Sequence, residues 1–148
     1  MITEKIKITG KVKIELFGPD GKLKDLREIT NLVTTVGLNH IADQMSDQGE
    51  AVMSHAAIGT GVAAAAAGDT TLGTELDRNA LTSKTQATNT VTYIADWAAG
   101  DGTGVITEAG ILNAAAAGTL LSRIVFAAVN KLANDAFRIT WEHTYAVA

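Results

Sequence analysis

Lys5-Ile6-Lys7-Ile8-Thr9-Gly10-Lys11-Val12-Lys13-Ile14-Glu15-Leu16-Phe17 is the run that decides the fold class. Ile6, Ile8, Val12, Ile14 and Leu16 share one parity, while Lys and Glu occupy the other. Such alternation is the mark of a half-buried β-strand, because successive side chains point to opposite faces of a sheet. Gly10 interrupts the run and predicts a bend or bulge. The charged face (Lys5, Lys7, Lys11, Lys13) reads as a solvated strand surface, and edge lysines also discourage sheet-to-sheet aggregation. A polyanion-binding strip is the competing reading of the same lysines.

Working outward, Gly18-Pro19-Asp20-Gly21 is a turn: proline pre-sets φ, and Asp-Gly tolerates tight geometry. Leu23 to Thr34 then returns as the second strand of a hairpin. The parity of its apolar residues slips between Leu26 and Ile29, which predicts a bulge there. The period next changes. Leu38, Ile41, Ala42 and Met45 fall at i, i+3, i+4 and i+7, the stripe of an amphipathic helix. The helix is expected at about 36–47, capped by Thr34 or Thr35 and ended by Gly49.

Beyond the helix the chain reads as β again. Ala56-Ala57-Ile58 is a short apolar strand broken at Gly59-Thr60-Gly61, and Arg78 to Gln86 is a polar, exposed one. Thr90 to Trp97 places Val91, Tyr93, Ala95 and Trp97 on one face. Val105 to Leu112 and Leu120 to Ala127 follow, the second buried on both faces. Phe137, Ile139, Trp141, His143 and Tyr145 share a face of the last strand. About eight strands with closely spaced turn signals make a mainly β domain over 1–148, an antiparallel β-sandwich or barrel with one short helix.

Composition narrows the function classes. The 148 residues carry a net charge of −4 and no cysteine. Disulfides and thiolate metal sites are excluded, and a reducing cytoplasm suits synthesis. The charge balance argues against nucleic acid as a direct partner. No stretch approaches the roughly 18 apolar residues of a membrane span. Met1-Ile2-Thr3-Glu4-Lys5-Ile6 lacks the apolar core of a signal peptide. Much of the 47% hydrophobic content is alanine, which reads either as a modest core or as a chain that takes part of its stability from partner subunits.

No stretch carries a catalytic motif. Gly59-Thr60-Gly61 and Gly100-Asp101-Gly102-Thr103-Gly104 lack the lysine and the following helix of a phosphate loop, and read as ordinary loops. His40, His55 and His143 have no metal-ligand spacing. His40 and Asp43 read as a pair on the helix surface. Glu75 with Asp77, or Asp96 with Asp101, could form a carboxylate pair for glycoside chemistry, but neighbouring carboxylates are common on solvated loops. Asp77-Arg78 reads as a local or inter-subunit ion pair. The expectation is a protein that is not an enzyme and holds no cofactor or metal.

Three segments carry a resemblance. Asn31-Leu32-Val33-Thr34-Thr35-Val36-Gly37-Leu38-Asn39-His40-Ile41-Ala42 is the first. His55-Ala56-Ala57-Ile58-Gly59-Thr60-Gly61, continuing with Ala66-Ala67-Gly68-Asp69-Thr70-Thr71-Leu72-Gly73-Thr74-Glu75-Leu76, is the second. Ile106-Thr107-Glu108-Ala109-Gly110-Ile111-Leu112-Asn113 is the third. In order and spacing, from about Lys11 to the C-terminus, the chain resembles small structural proteins of tailed bacteriophages. The resemblance implies a virion component made in the host cytoplasm, and no catalytic residues.

The expected function is a capsid decoration or cement protein, a homotrimer that binds lattice joints of the major capsid protein and resists internal pressure. The 36–47 helix and the 59–78 loop are the expected contacts, through His40, Asp43, Thr60, Leu72, Glu75, Asp77 and Arg78. A tail, collar or baseplate attachment protein is the alternative of the same class. A carbohydrate-binding module is the alternative of a different class, with Tyr93, Trp97 and Trp141 as stacking residues.

Overall fold

A computed structural model describes residues 3–148; Met1 and Ile2 of the N-terminal stretch read above lie outside them. Ten strands and one helix follow in the order β1 (Ile6–Phe17), β2 (Leu23–Thr30), β3 (Leu32–Val33), α1 (Thr35–Ser46), β4 (His55–Gly59), β5 (Glu75–Ala80), β6 (Ser83–Ala87), β7 (Thr90–Trp97), β8 (Gly104–Leu112), β9 (Leu120–Lys131) and β10 (Ala136–Val147). They form two antiparallel five-stranded sheets, ordered β2-β1-β10-β7-β6 and β3-β9-β8-β4-β5. The expected mainly β sandwich is thus the fold, with ten strands in place of about eight. The two further strands come from splitting. Asn31 divides the expected Leu23–Thr34 strand, whose halves join different sheets. Leu81 and Thr82 do the same for the polar stretch after Arg78. Among the described residues no helix is long and apolar enough to cross a membrane.

The alternating rows meet between the sheets. Val12, Ile14 and Leu16 of β1 lie beside Phe137, Ile139 and Trp141 of β10, which lie beside Tyr93, Ala95 and Trp97 of β7. Ala56, Ile58, Ile106, Ala109, Ile111 and Ile124 answer from the second sheet. Trp97 and Trp141 are fully buried and Tyr93 nearly so, which removes the surface platform that sugar stacking requires. One polar chain crosses this core: Ser122 Oγ lies 2.8 Å from His143 Nε2, and Asn31 Nδ2 lies 2.8 Å from the same nitrogen. Burial pushes the His143 pKa down to about 4, so the imidazole is neutral at physiological pH.

Local features differ from the expectations in instructive ways. Gly10 makes no bulge and sits in register opposite His143. The irregularity in the first hairpin falls at Leu16/Phe17 against Asp25 and Leu23, beside the turn, not between Leu26 and Ile29. The lysine face belongs to β1, which is flanked by both β2 and β10 from Lys11 to Phe17 and is an edge only before that, where Lys7 lies and β10 is the sole partner. Helix α1 ends at Asp47 in the left-handed region (φ 51°), whose N–H bonds the Asp43 carbonyl, so the stop falls two residues before Gly49. The expected N-cap holds: Thr34 Oγ1 accepts from Gly37 N–H at 2.9 Å and donates to the Leu120 carbonyl at 2.6 Å.

Gly37 sets how closely α1 approaches β9. A Cβ there would stand 2.3 Å from the Leu121 carbonyl oxygen, a backbone atom. In a free helix Gly→Ala is stabilising by about 1 kcal/mol. Here the sign reverses. Gly37→Ala is expected to destabilise the fold by about 1–3 kcal/mol, the usual range for overpacking, read as a lower urea midpoint with an unchanged m-value.

Candidate interaction surface

The outward face of the second sheet carries Ala57 and Gly59 of β4, Glu108, Gly110 and Leu112 of β8, and Arg123 of β9, aligned by register. The segment 60–74, a strap between β4 and β5, folds over them. Leu72 drops from it onto Ala57, Leu112 and Leu120, forming a second, smaller apolar cluster.

The strap is tied down at Glu108. This carboxylate is fully buried. Gly61 N–H donates to Oε1 at 2.8 Å, Thr74 N–H to Oε1 at 2.7 Å and Gly73 N–H to Oε2 at 2.8 Å. Arg123 adds Nε to Oε2 at 3.0 Å and Nη2 to Oε2 at 2.9 Å. Burial alone would raise the Glu108 pKa. The three backbone N–H groups and the guanidinium outweigh it and hold the pKa below the usual carboxylate range. Gly61 has no room for a side chain, since a Cβ would lie 2.5 Å from Glu108 Oε1. The glycine-rich loop therefore does cradle an anion through its backbone, and the anion is the protein's own carboxylate.

Arg123 carries the tie further. Its Nη1 bonds Asp69 Oδ2 at 2.8 Å and its Nη2 bonds the Ala63 carbonyl at 3.0 Å. Asp69 Oδ2 in turn accepts from Ala66 N–H at 2.9 Å, the main influence holding its pKa down. The alanine run is thus a fixed turn. Thr35 N–H, at the start of α1, bonds the Ala67 carbonyl at 2.8 Å and joins strap to helix. What remains outward is a low surface of Val62, Ala63, Ala64, Ala66 and Ala67, all exposed.

Compared with protein-family models, curated proteins and solved structures, the chain finds no match.

The expected contact residues scatter over this architecture. His40 is 4% exposed and not on the helix surface; its Nδ1 lies 3.0 Å from Glu50 Oε2, while Asp43 accepts from Glu50 N–H at 2.9 Å. Thr60 is exposed and closes the base of the strap, its N–H bonding the Thr74 carbonyl at 2.9 Å. Leu72 is buried. Arg78 pairs with Glu75 (2.6 Å) rather than with Asp77, and its guanidinium bonds the Ala114 and Ala117 carbonyls at 3.0 and 2.8 Å. The histidines are not gathered: His55 lies beside Ser54, and His143 is in the core. Glu108 and Arg123 were legible as a lone acid in one apolar run and a lone arginine in the next. The expectation that Leu120 to Ala127 is buried on both faces holds as far as Ile124 and takes Arg123 in with it, while Ala127 is exposed.

Asp77 has its own setting. It faces inward from β5 near Asp101, whose Oδ2 accepts from Asn79 Nδ2 at 2.6 Å. Burial, and then the Asp101 carboxylate, raise the Asp77 pKa. Lys131, fully buried on β9, bonds the Ala98 carbonyl at 3.0 Å and supplies the nearby positive charge. The carboxylate pair that forms is Asp77 with Asp101; Asp96 instead binds Arg138.

Two outcomes test these assignments. Removing the Glu108 carboxylate leaves Arg123 buried with one partner fewer, and breaking a buried pair costs about 3–5 kcal/mol. Glu108→Ala should lose that much, and hydrogen exchange should quicken at Gly61, Gly73 and Thr74 before the sheets open. Asp77 has the opposite sign: a carboxyl whose folded pKa is raised stabilises the fold when protonated and weakens it once ionised. Asp77→Asn should therefore raise the melting temperature at pH 8, with the gain vanishing as pH falls through the Asp77 pKa into the ordinary carboxylate range.

Proposed function

We propose that this protein is a structural component of a tailed-bacteriophage particle, a decoration or cement subunit that docks on the shell and self-associates. One observation carries the reading. Two of the stretches that resemble such proteins, Gly59-Thr60-Gly61 through Glu75 and Ile106 through Asn113, lie far apart in sequence but form the two halves of one lock, the strap and the carboxylate that holds it. Similarity spread along the chain therefore corresponds to a single built feature.

The physical properties suit such a role. A surface that docks in many copies gains from being ordered beforehand, since each immobilised segment otherwise lowers affinity. The Glu108 tie supplies that order to a strap of small side chains, which let another backbone come close. A tail, collar or baseplate position is the alternative within the same class. The sugar-binding reading has lost its aromatic platform to the core.

Copy number per particle, from quantitative mass spectrometry of purified virions against the major capsid protein, is the test. A ratio near one is the expected result. A handful of copies per particle would move the protein to the tail or collar, and its absence from particles would overturn the virion reading.

A further inference from the structure

One buried imidazole joins the two sheets at the point where the chain first passes between them. His143 of β10 is 1% exposed. Its Nε2 meets Ser122 Oγ of β9 and the amide of Asn31, the crossover residue between β2 and β3, each at 2.8 Å. Gly10 makes room for this meeting. It stands opposite His143, and a Cβ there would fall on the Asn31 side chain. The other ring nitrogen, Nδ1, is shut off from water and has no partner among the described residues. With Asn31 Nδ2 on Nε2, the ring accepts there and carries its one proton on Nδ1. Turning the amide end for end swaps donor and acceptor at Nε2 and brings nothing to Nδ1. A second proton would therefore leave a charged N–H in the core without an acceptor.

The described residues around the ring supply no counter-charge. β7 brings Val91 in register and Tyr93 edge-on, and β10 itself brings Trp141 and Tyr145. Burial raises the pKa of both tyrosines, so they stay neutral. Lys11 and Glu142, the next pair in register, have the opposite parity and point to the other face. On α1, His40 is paired with Glu50. Burial is the sole cause of the low His143 pKa.

We propose that His143 is an acid-operated latch: on taking up a second proton it lets go of Asn31, and β3 and the start of α1 lift from β9 before the rest of the sandwich opens. An imidazolium needs water, and β3 is where the least pairing stands in the way. That strand holds β9 only through Leu32 and Val33, helped by Thr34 N–H on the Leu121 carbonyl at 3.0 Å. β10, by contrast, is paired along its length with β1 and from Phe137 to Thr144 with β7. The sign follows from linkage. Closed, the ring has a pKa of about 4; opened to water it returns to the ordinary 6.5. The closed form keeps its full advantage above pH 6.5 and loses it as the pH falls toward 4. The ratio of open to closed forms rises about thirtyfold by about pH 5 and about 300-fold in stronger acid.

The latch does not rest on the virion reading, and purified full-length chain tests it. Hydrogen exchange, corrected for its intrinsic pH dependence, is followed from about pH 7.5 to about pH 5 at the Thr34 amide and at Ile14 and Ile139 in the middle of the first sheet. Thr34 should be the less protected site throughout, and its protection should fall about thirtyfold, because opening it wets His143. His143→Gln keeps an amide to meet Asn31 and Ser122 but has no proton to take up, so it should flatten the fall at Thr34. An NMR titration of the wild-type ring needs no variant, and the ring should stay neutral down to about pH 5 while Thr34 is protected. Three results each overturn the proposal. Thr34 is as protected as Ile14 and Ile139, so that the seam opens only with the whole fold; its protection is indifferent to pH or falls equally in His143→Gln; or the ring protonates near its ordinary pKa with Thr34 still protected.

Discussion

A carboxylate cannot be taken out of water without compensation, and Glu108 is wholly out of water. Much of the second sheet's outer side follows from meeting that demand. Three N–H groups must converge on two oxygens, which fixes the strap's path at Gly61 and again at Gly73 and Thr74. A guanidinium must stand on the neighbouring strand, so Arg123 occupies a position its apolar neighbours would not predict. Arg123 is then itself buried and needs acceptors, which Asp69 and the Ala63 carbonyl supply. Each polar group is admitted because the next satisfies it, and the chain of obligations ends at the surface.

The two sheets therefore have different outer faces. The first presents mixed lysine, glutamate and threonine directly to solvent. The second is roofed by the strap and by the turn near Ala114–Ala117, which Arg78 holds through two carbonyls. Helix α1 instead stands beside β9 at the end of the sandwich, with Ile41 against the core between the sheets, kept close by the missing side chain at Gly37 and by the double use of the Thr34 hydroxyl. Strap and helix are also bonded to each other through Thr35 and Ala67. An influence on one thus has a short covalent and hydrogen-bonded route to the other.

What the sequence disclosed follows from periodicity. The rows on β1, β7 and β10 were legible because alternation is a local property, and the helix because its stripe and Thr34 cap lie within a few residues of each other. The splitting at Asn31 and at Leu81–Thr82 was not, since a polar residue within a strand and one passing between sheets look alike until both sheets exist. The same holds for Asp77: its neighbour in sequence suggested an ion pair with Arg78, but adjacent strand residues face opposite ways, and Asp101 is the group it meets. The Glu108–Arg123 tie left a faint trace, one charge in each of two apolar runs. Its significance depends on a register that pairs Glu108 with Val125 and Gly110 with Arg123, which no local pattern states.

The edges of the sandwich have a bearing on solubility at high concentration. Two of the four terminal strands are very short, β3 with two residues and β6 with five. The other two carry charge at close spacing: Glu75, Asp77 and Arg78 on β5, and Lys24, Asp25, Arg27 and Glu28 on β2. Arg27 also reaches across to the Ala127 and Ala128 carbonyls, covering the irregular middle of β9. None offers the long, flat, apolar margin on which sheets grow into fibres. At high concentration such margins resist the sideways strand pairing by which sheets polymerise.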